Sequence, residues 1–262
     1  MDGFYLICTY VLSAVVGLCI GSFLNVVIYR LPQNMSLSKP RSRCTHCGYE
    51  LRWYDNIPLL SYIILGGRCR KCKKHISLRY TIVELSNMLL WLLTAFLFAE
   101  KNLPLAIIYM IALSVFICIF FIDLEHKIIF DRFQVILFVL GVISIFFDKD
   151  YNWLSHLIGG VGGFLVFFLI AWAYEKICQV EGLGGGDVKL AGVVGLLLGW
   201  ERLLFGLVAA TIPAAVILLI LSRGKEGESR QFPFAPFLTI GFAVSMLFGT
   251  QILDWYISLF GL

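Results

Sequence analysis

Charged side chains are scarce in this chain. Of its 262 residues, 15% are charged and 60% are hydrophobic, whereas a soluble domain carries about 25% charged and about 45–50% apolar residues. So little charge excludes a soluble enzyme and a disordered chain, and the apolar excess excludes a small secreted disulfide scaffold. Because few of these residues are suited to face water, the composition predicts an all-α polytopic membrane protein.

Several sequence signals are absent as well. No His-Glu-x-x-His occurs, which argues against a zinc metalloprotease, and there is no nucleotide-binding glycine fingerprint. The uncharged stretch from Gly3 to Tyr29 has neither a basic n-region nor a small-residue cleavage site. We therefore expect a spanning helix there, rather than a cleaved signal peptide.

Eight apolar segments are present, and a spanning helix needs about 20 such residues. The sequence predicts about eight transmembrane helices, with a small cytosolic insertion after the first. The expected division is a first helix at 4–29, the insertion at 30–81 and a seven-helix bundle at 82–262. The seven later apolar segments are 80–99, 102–122, 129–147, 151–174, 187–200, 203–222 and 231–253.

The distribution of basic residues predicts the topology. With the N-terminus outside, the inner connections hold 18 of the 21 Lys and Arg residues, as the positive-inside rule requires. Omitting the short segment 187–200 would move three of these residues outside, so the segment is retained. The inner connections are 30–81, 123–132, 175–189 and 223–230.

Two cysteine pairs stand in the insertion, Cys44 with Cys47 and Cys69 with Cys72. Each C-x-x-C places two thiolates on one cation, and two such turns complete a tetrahedral site. A site of four sulfurs leaves no position for water, so the spacing predicts a structural zinc. The alternative is two redox-active or free pairs, although disulfides rarely persist on the reducing side of a membrane.

The insertion is also strongly basic, with 11 basic and 2 acidic residues. Anionic lipid headgroups explain this charge better than nucleic acid does. We therefore expect membrane lipids, and no nucleic acid, as its partners.

Two aspartates are predicted at the same cytosolic face. Asp123 ends the third span, and Asp187 follows Gly184, Gly185 and Gly186 at the start of the sixth. Ionisable residues at membrane depth are costly and are functional candidates by default. Two carboxylates brought together share a proton, so one is able to take a proton from water while the other donates to a peptide carbonyl.

Each aspartate also has a simpler interpretation. Asp187 would cap a helix that opens after a glycine loop, and Asp123 would pair with Lys127 or Lys189. The nearby acids Glu84, Glu125 and Asp131 are at least as well explained as solvated or ion-paired residues.

Together these residues resemble the bacterial type IV prepilin peptidases, of the GxGD intramembrane aspartyl protease group. The resemblance covers nearly the whole chain. Two positions depart from the family pattern, since Phe130 and Thr81 stand where the family usually has proline. The matching motifs are Gly21-Ser22-Phe23-Leu24-Asn25, Asn56-Ile57-Pro58-Leu59, Gly67-Arg68-Cys69-Arg70-Lys71-Cys72, Ile76-Ser77-Leu78-Arg79-Tyr80, Ile122-Asp123 and Gly184-Gly185-Gly186-Asp187-Val188-Lys189-Leu190.

The resemblance implies that Asp123 and Asp187 are the catalytic pair. It implies cleavage of the short basic leader of prepilins and pseudopilins after a glycine, at the cytosolic face of the bacterial inner membrane. It also implies methylation of the new N-terminus with S-adenosylmethionine. A basic insertion should repel a basic leader, so local acids are expected to supply negative charge near the cleft. The candidate cleft residues are Gly184, Gly185, Gly186, Lys189, Glu84, Glu125 and Asp131.

Two rival functions remain. A proton- or cation-coupled transporter would use the interfacial acids as an ion path, although these acids stand at one face rather than across the bilayer. A non-enzymatic zinc-anchored assembly factor would leave the two aspartates unexplained.

Overall fold

The predicted helical architecture is confirmed. The computed structural model describes residues 3–149, 152–179, 183–222 and 233–259, and these contain helices but no β-strand. The predicted connection 223–230 lies outside these residues. The α-helices are α1 (Gly3–Arg30), α2 (Leu60–Ile64), α3 (Leu78–Thr94), α4 (Leu103–His126), α5 (Asp131–Phe147), α6 (Trp153–Cys178), α7 (Gly185–Leu198), α8 (Trp200–Ser222) and α9 (Ala235–Ser258).

Six of the described helices are long and apolar enough to cross a membrane. The other two predicted spans are helical but shorter, with 17 residues in α5 and 14 in α7. At 1.5 Å per residue, α7 rises only about 21 Å. Nine of its residues are buried, so other helices of the protein, rather than lipid, surround most of it. The six candidate spans are Gly3–Arg30, Leu78–Ala99, Leu103–His126, Trp153–Cys178, Trp200–Ile220 and Ala235–Tyr256.

The chain divides into two compact units, Met1–Cys118 and Ile119–Leu262. These two units are defined by packing, whereas the sequence divides the chain into a first helix, an insertion and a seven-helix bundle. That three-part division stays a prediction.

The first unit is built on close packing of α1 against α3. A Cβ atom on Gly21 would lie 2.8 Å from the Glu84 Cα, and one on Gly17 would lie 3.0 Å from the Trp91 Cβ. Small residues allow such approach between apolar helices, where packing and hydrogen bonds replace the hydrophobic drive. Glycine at these two positions therefore sets the separation of α1 and α3.

A chain of buried hydrogen bonds fixes the register of three helices in this unit. Asn87 donates to the Gly17 carbonyl at 2.7 Å, Ser114 donates to Asn87 Oδ1 at 2.8 Å, and Trp91 Nε1 donates to Ser114 Oγ at 2.9 Å. Such bonds satisfy polar groups that would be costly to leave unpaired in an apolar interior. They tie α1, α3 and the first part of α4 together.

The second unit is organised around α7. A Cβ on Gly159 of α6 would lie 2.4 Å from the Gly195 carbonyl oxygen, and one on Gly195 would lie 2.1 Å from that of Gly159. The two backbones therefore touch. From α5, Ser144 Oγ donates to the Leu197 carbonyl at 3.2 Å, which fixes the other side of α7.

A buried polar cluster holds the end of α7 that is opposite Asp187. Arg202 pairs with Asp148, and both side chains are almost completely buried. Arg202 Nε donates to the Leu198 carbonyl at 2.6 Å, and the imidazole of His156 contacts the Leu196 carbonyl at 3.0 Å. These bonds satisfy carbonyls at the end of the helix. They fix where α7 ends.

Glycine contact between α6 and α7 generates a stability prediction. Gly159→Ala should lower the unfolding temperature in detergent by several degrees, because overpacking costs about 1–3 kcal/mol. Gly162→Ala on the same helix is the matched control, since a Cβ there meets nothing within 4 Å. Fluorescence-monitored thermal unfolding is the measurement. Equal unfolding temperatures for the two variants would contradict the contact.

Candidate active site and metal centre

Asp123 lies in the last turn of α4 and is 6% exposed. The helix ends three residues later, where Lys127 takes a left-handed φ of 56° and its N–H donates to the Asp123 carbonyl at 2.9 Å. The backbone N–H of Ala235, the first residue of α9, donates to the Asp123 carboxylate, and the charge of Lys127 acts on it. A helix N-terminus carries partial positive charge, so α9 stabilises a carboxylate at this place.

Asp187 is the third residue of α7, after Gly184 at the N-cap position. Its N–H donates to the Gly184 carbonyl at 3.0 Å. The carboxylate stands in the first turn, where the positive end of the helix dipole favours an anion. The interpretation of Asp187 as the helix cap is therefore wrong, because Gly184 holds the N-cap position and the described residues include no hydrogen bond from a backbone N–H to the Asp187 side chain.

The two carboxylates interact. Asp187 and Asp123 are close enough for the charge of one to act on the other. Asp123 Oδ2 and Asp187 Oδ1 are both buried, and neither has a hydrogen-bond partner among the described residues. Buried polar atoms are normally paired. Each of these two carboxylate oxygens can therefore accept a hydrogen bond from a water molecule or a substrate group.

Gly186 allows the α4–α5 connection to approach α7 closely. A Cβ there would lie 3.0 Å from the Ile129 Cβ. Gln134 of α5 donates to the Gly186 carbonyl at 3.0 Å, and its side chain is buried. Ile129 and Gln134 thus both lie against Gly186, the residue before Asp187. Gly184 and Gly185 are exposed, and Gly185 leaves open space where a side chain would stand.

The other candidate cleft residues lie in different surroundings. Lys189 pairs with Asp131 at 2.7 Å, and both side chains are at least half exposed, so the expected pair of Lys189 with Asp123 is not formed. Glu125 is exposed near the end of α4. Glu84 belongs to the first unit, where its carboxylate accepts from the Leu59 N–H at 2.9 Å and from the Ser22 hydroxyl. A role for these residues toward a substrate stays a prediction.

The four cysteines of the insertion converge. Their Sγ atoms all lie within 4.8 Å of one another. The distances are 3.9 Å from Cys44 to Cys72 and 3.9 Å from Cys47 to Cys69. In a tetrahedron with sulfur about 2.3 Å from zinc, neighbouring sulfurs are about 3.8 Å apart. The cluster therefore has the size and donor set to hold a metal ion.

The two cysteine turns share one backbone design. In the first turn, the Cys44 N–H donates to the Tyr49 carbonyl, and the Gly48 N–H donates to the Cys44 carbonyl. In the second turn, the Cys69 N–H donates to the Lys74 carbonyl, and the Lys73 N–H donates to the Cys69 carbonyl. Gly48 and Lys73 both have positive φ. The backbone N–H groups of Cys72 and Lys71 donate to the Cys69 sulfur and lower the pKa of its thiol to about 7. This shift favours the thiolate that a metal requires.

Asp55 ties the segment between the cysteine pairs to the second turn. Its carboxylate accepts from Arg70 at 2.8 Å and from the Arg52 N–H at 3.2 Å. Burial alone would raise the pKa of Asp55, but these bonds hold it below the usual value. The insertion is therefore ordered by side chains as well as by the cysteines.

Sequence reasoning did not identify Gln134 or Ala235 as part of the site. Gln134 was detectable in principle, as an amide within the apolar segment 129–147. Ala235 carries no such signal, because only its backbone N–H acts and the contact depends on how α9 packs against α4.

Two family models match two successive parts of the chain. The model of the bacterial peptidase A24 N-terminal domain matches residues 15–98, and that of the type IV leader peptidase family matches residues 110–219. The second match contains both Asp123 and Asp187. No solved structure matches the chain.

Three prepilin leader peptidase/N-methyltransferases are similar to most of this chain. A prepilin leader peptidase/N-methyltransferase of Burkholderia pseudomallei is 34% identical over 91% of this chain and 85% of its own length. One from Pseudomonas aeruginosa is 32% identical over 98% and 95%, and one from Myxococcus xanthus is 40% identical over 81% and 64%. Identity of this extent, together with a matched peptidase region that contains the aspartate pair, shows that this chain belongs to the type IV leader peptidase family.

Proposed function

We propose that this protein cleaves the leader of prepilins and pseudopilins after a glycine, with Asp123 and Asp187 as its catalytic pair. The observation that carries the proposal is the pair of buried, unpaired carboxylate oxygens, Asp123 Oδ2 and Asp187 Oδ1. They lie at the ends of two apolar helices, α4 and α7. The transporter alternative is not favoured, because the relatives are named for proteolysis and methylation.

Water held between the two carboxylates is the nucleophile in this mechanism. One carboxylate takes a proton from the water, and the water oxygen attacks the carbonyl carbon of the glycine. The other carboxylate, which is protonated, donates its proton to the carbonyl oxygen. The C–N bond then breaks, and the leaving nitrogen receives a proton. Because coupled acids titrate as a pair, the assignment of acid and base belongs to the pair rather than to either residue.

The exposed glycines before Asp187 suit an extended substrate. Gly184 and Gly185 present backbone without side chains, which lets a peptide approach closely. Gln134 and Ile129 hold Gly186 from the other side. We assign the glycine loop to binding of the peptide around the scissile bond, and Gln134 to positioning of that loop.

The distribution of basic residues supports an inner-membrane protein whose active site and insertion face the cytosol. Under this topology, the cut is made beside the membrane, and the apolar helix of the substrate stays in the bilayer. The basic insertion contacts anionic lipid headgroups. Glu125 and Asp131, both exposed in the second unit, supply negative charge for the basic leader.

We infer that the tetracysteine cluster holds a structural zinc ion. Four thiolates at tetrahedral spacing match the preference of zinc. The ion would lock together the two turns of the insertion, which contains only short helices.

We also propose that the new N-terminus is methylated with S-adenosylmethionine. When bound, this donor would supply an electrophilic methyl group from its sulfonium sulfur to the uncharged amine. The sulfur would keep the electron pair of the broken C–S bond, and the amine would lose a proton. The methylation proposal is supported by the relatives, which are named for both peptidase and N-methyltransferase activity.

Replacement of either aspartate tests the catalytic pair. In liposomes that contain a prepilin, Asp123→Asn and Asp187→Asn should each lower the cleavage rate by at least about 100-fold, since general acid–base catalysis contributes about 10²–10⁴. Asp254→Asn, which alters an exposed acid on α9, is the matched control and should cleave normally. Full activity in either folded variant would show that the pair is wrong.

Charge reversal tests recognition of the leader. Glu125→Lys and Asp131→Lys should raise KM for a basic leader about two- to fivefold, as exposed charges contribute up to about 1 kcal/mol. A leader whose Lys and Arg residues are replaced by serine is the control and should be cleaved equally by all variants. An unchanged KM for the basic leader in both variants would exclude this role.

Metal analysis tests the cluster. Purified protein should contain one zinc per chain by mass spectrometry, and Cys47→Ser should lose it and expose the insertion to protease. Cys19→Ser, which alters an exposed cysteine on α1, should retain the metal. Zinc retained in Cys47→Ser, or absent from the wild type, would contradict the structural role.

A further inference from the structure

The basic insertion contains one uncharged stretch. No charged residue occurs between Asp55 and Arg68, although the insertion carries 11 basic residues. The short helix α2 lies within this stretch. Its residues Leu60, Ile63 and Ile64 stand at positions i, i+3 and i+4, which is the spacing of a single helix face. Together these three side chains form the α2 face.

The α2 face is exposed. Leu60 is 54% exposed, Ile63 72% and Ile64 71%. Ser61 and Tyr62, which lie between them in the sequence, are half-buried, so α2 turns its polar and aromatic side chains toward the protein and its aliphatic ones away. Contiguous exposed apolar side chains mark a surface that binds a partner or a membrane.

Leu59, directly before α2, fixes the level at which the helix lies. Its N–H donates to the Glu84 carboxylate at 2.9 Å, and the same carboxylate accepts from the Ser22 hydroxyl. Ser22 lies eight residues before the end of α1, and Glu84 lies six residues after the start of α3. At 1.5 Å per residue, Leu59 therefore lies roughly 9–12 Å inward from the ends of these two helices.

That level corresponds to the boundary between headgroups and hydrocarbon. Helix α1 has 28 residues, so it is about 42 Å long, whereas the hydrocarbon core of a bilayer is about 30 Å thick. A centred helix of this length extends about 6 Å beyond the core on each side. Leu59 and the adjacent α2 face thus lie where interfacial helices bury their apolar side chains.

The two spanning helices expose apolar side chains at the same level. Phe23 follows Ser22 on α1, and Leu85 follows Glu84 on α3; both are exposed. Apolar side chains on the outside of spanning helices contact acyl chains, which are as apolar as they are. Lipid therefore reaches the level of the α2 face along α1 and along α3.

The backbone of the stretch suits contact with lipid. The N–H groups of Ser61, Ile63 and Leu65 each donate to the carbonyl four residues earlier, at 3.0–3.1 Å. Pro58 has no N–H to satisfy, and the N–H of Leu59 is bound by Glu84. Backbone groups that face acyl chains must be paired within the protein, and these groups meet that condition.

The residues on either side of the uncharged stretch suit lipid headgroups. Trp53 is 80% exposed, and tryptophan is enriched where membrane meets water. Arg68, Lys71 and Lys73 are exposed after the stretch, and such basic side chains attract anionic headgroups. An apolar face with these neighbours matches both layers of a membrane surface.

We propose that α2 dips into the cytosolic leaflet and that the α2 face binds lipid acyl chains, which holds the insertion against the bilayer. This rests on the membrane placement proposed above and goes beyond contact with headgroups, because apolar side chains rather than charge carry the binding. Three side chains on a five-residue helix are too few for a stable protein interface, which buries about 800 Å² per partner.

Photocrosslinking tests the placement. In the full-length protein, p-benzoylphenylalanine replaces Ile63, and the protein is reconstituted in nanodiscs of phosphatidylcholine and phosphatidylglycerol. After irradiation, mass spectrometry should find the labelled peptide joined to a lipid acyl chain. The same probe in place of Glu50, an exposed residue of the insertion outside the uncharged stretch, should give no acyl adduct. In place of Val11, exposed on α1, it should give one.

Hydrogen exchange provides a second measurement. In the same nanodiscs, Ile63→Asp should speed amide exchange of residues 60–66 about fivefold or more, because exchange by local opening follows the free energy of that opening. Ile63→Leu keeps an apolar side chain at the position and should exchange as the wild type does. Equal exchange in the two variants would show that the side chain is not buried in lipid.

The outcomes separate this proposal from the placement on which it rests. Acyl adducts at Ile63 and Val11, also in nanodiscs of phosphatidylcholine alone, support it, since the protein rather than lipid charge sets the level of α2. An adduct at Val11 without one at Ile63 overturns the proposal alone, and adducts at neither overturn the placement as well. Adducts from Ile63 only to a second copy of the chain or to added prepilin show that protein covers the α2 face and overturn the proposal.

Discussion

Burial of two carboxylates at the ends of apolar helices is the constraint on which this structure depends. An acid in such surroundings is costly unless nearby dipoles offset its charge. Here the N-terminus of α9 faces Asp123, and Asp187 stands in the first turn of its own helix. Neither arrangement pairs every oxygen. The protein thus offsets part of the cost of the two acids and leaves one oxygen of each without a hydrogen-bond partner among the described residues, as the proposed mechanism requires.

Much of the fold follows from the sequence, since hydropathy and charge distribution predict where each helix except the short α2 lies. The pattern is less informative about length. Segment 187–200 was expected to span, but α7 has 14 residues enclosed by other helices. Its glycines permit that enclosure, because Gly195 touches the backbone of α6. Composition cannot separate a short spanning helix from a helix buried in protein, since both are apolar on every side.

Motif spacing identified the aspartates and cysteines because their chemistry resides in side chains that are rare in such surroundings. It could not identify partners that act through tertiary contact, such as the Ala235 N–H or Gln134. Glu84 shows the opposite case. Its charge at the start of a span predicts a place near the substrate, which stays a prediction, while its carboxylate accepts hydrogen bonds from Leu59 of the insertion and from Ser22 of α1. Charge alone predicts that a residue matters, and its neighbours decide how.

Gly199 is the single residue between α7 and α8. Arg202, three residues beyond it, is held by Asp148, so α7 has no slack along its axis. Opening or closing of the site by axial sliding of Asp187 would have to break this buried pair. If the two aspartates are the proposed catalytic pair, they are preorganised, and a substrate must adapt to a fixed geometry. Flexible leaders meet that demand more readily than folded segments do.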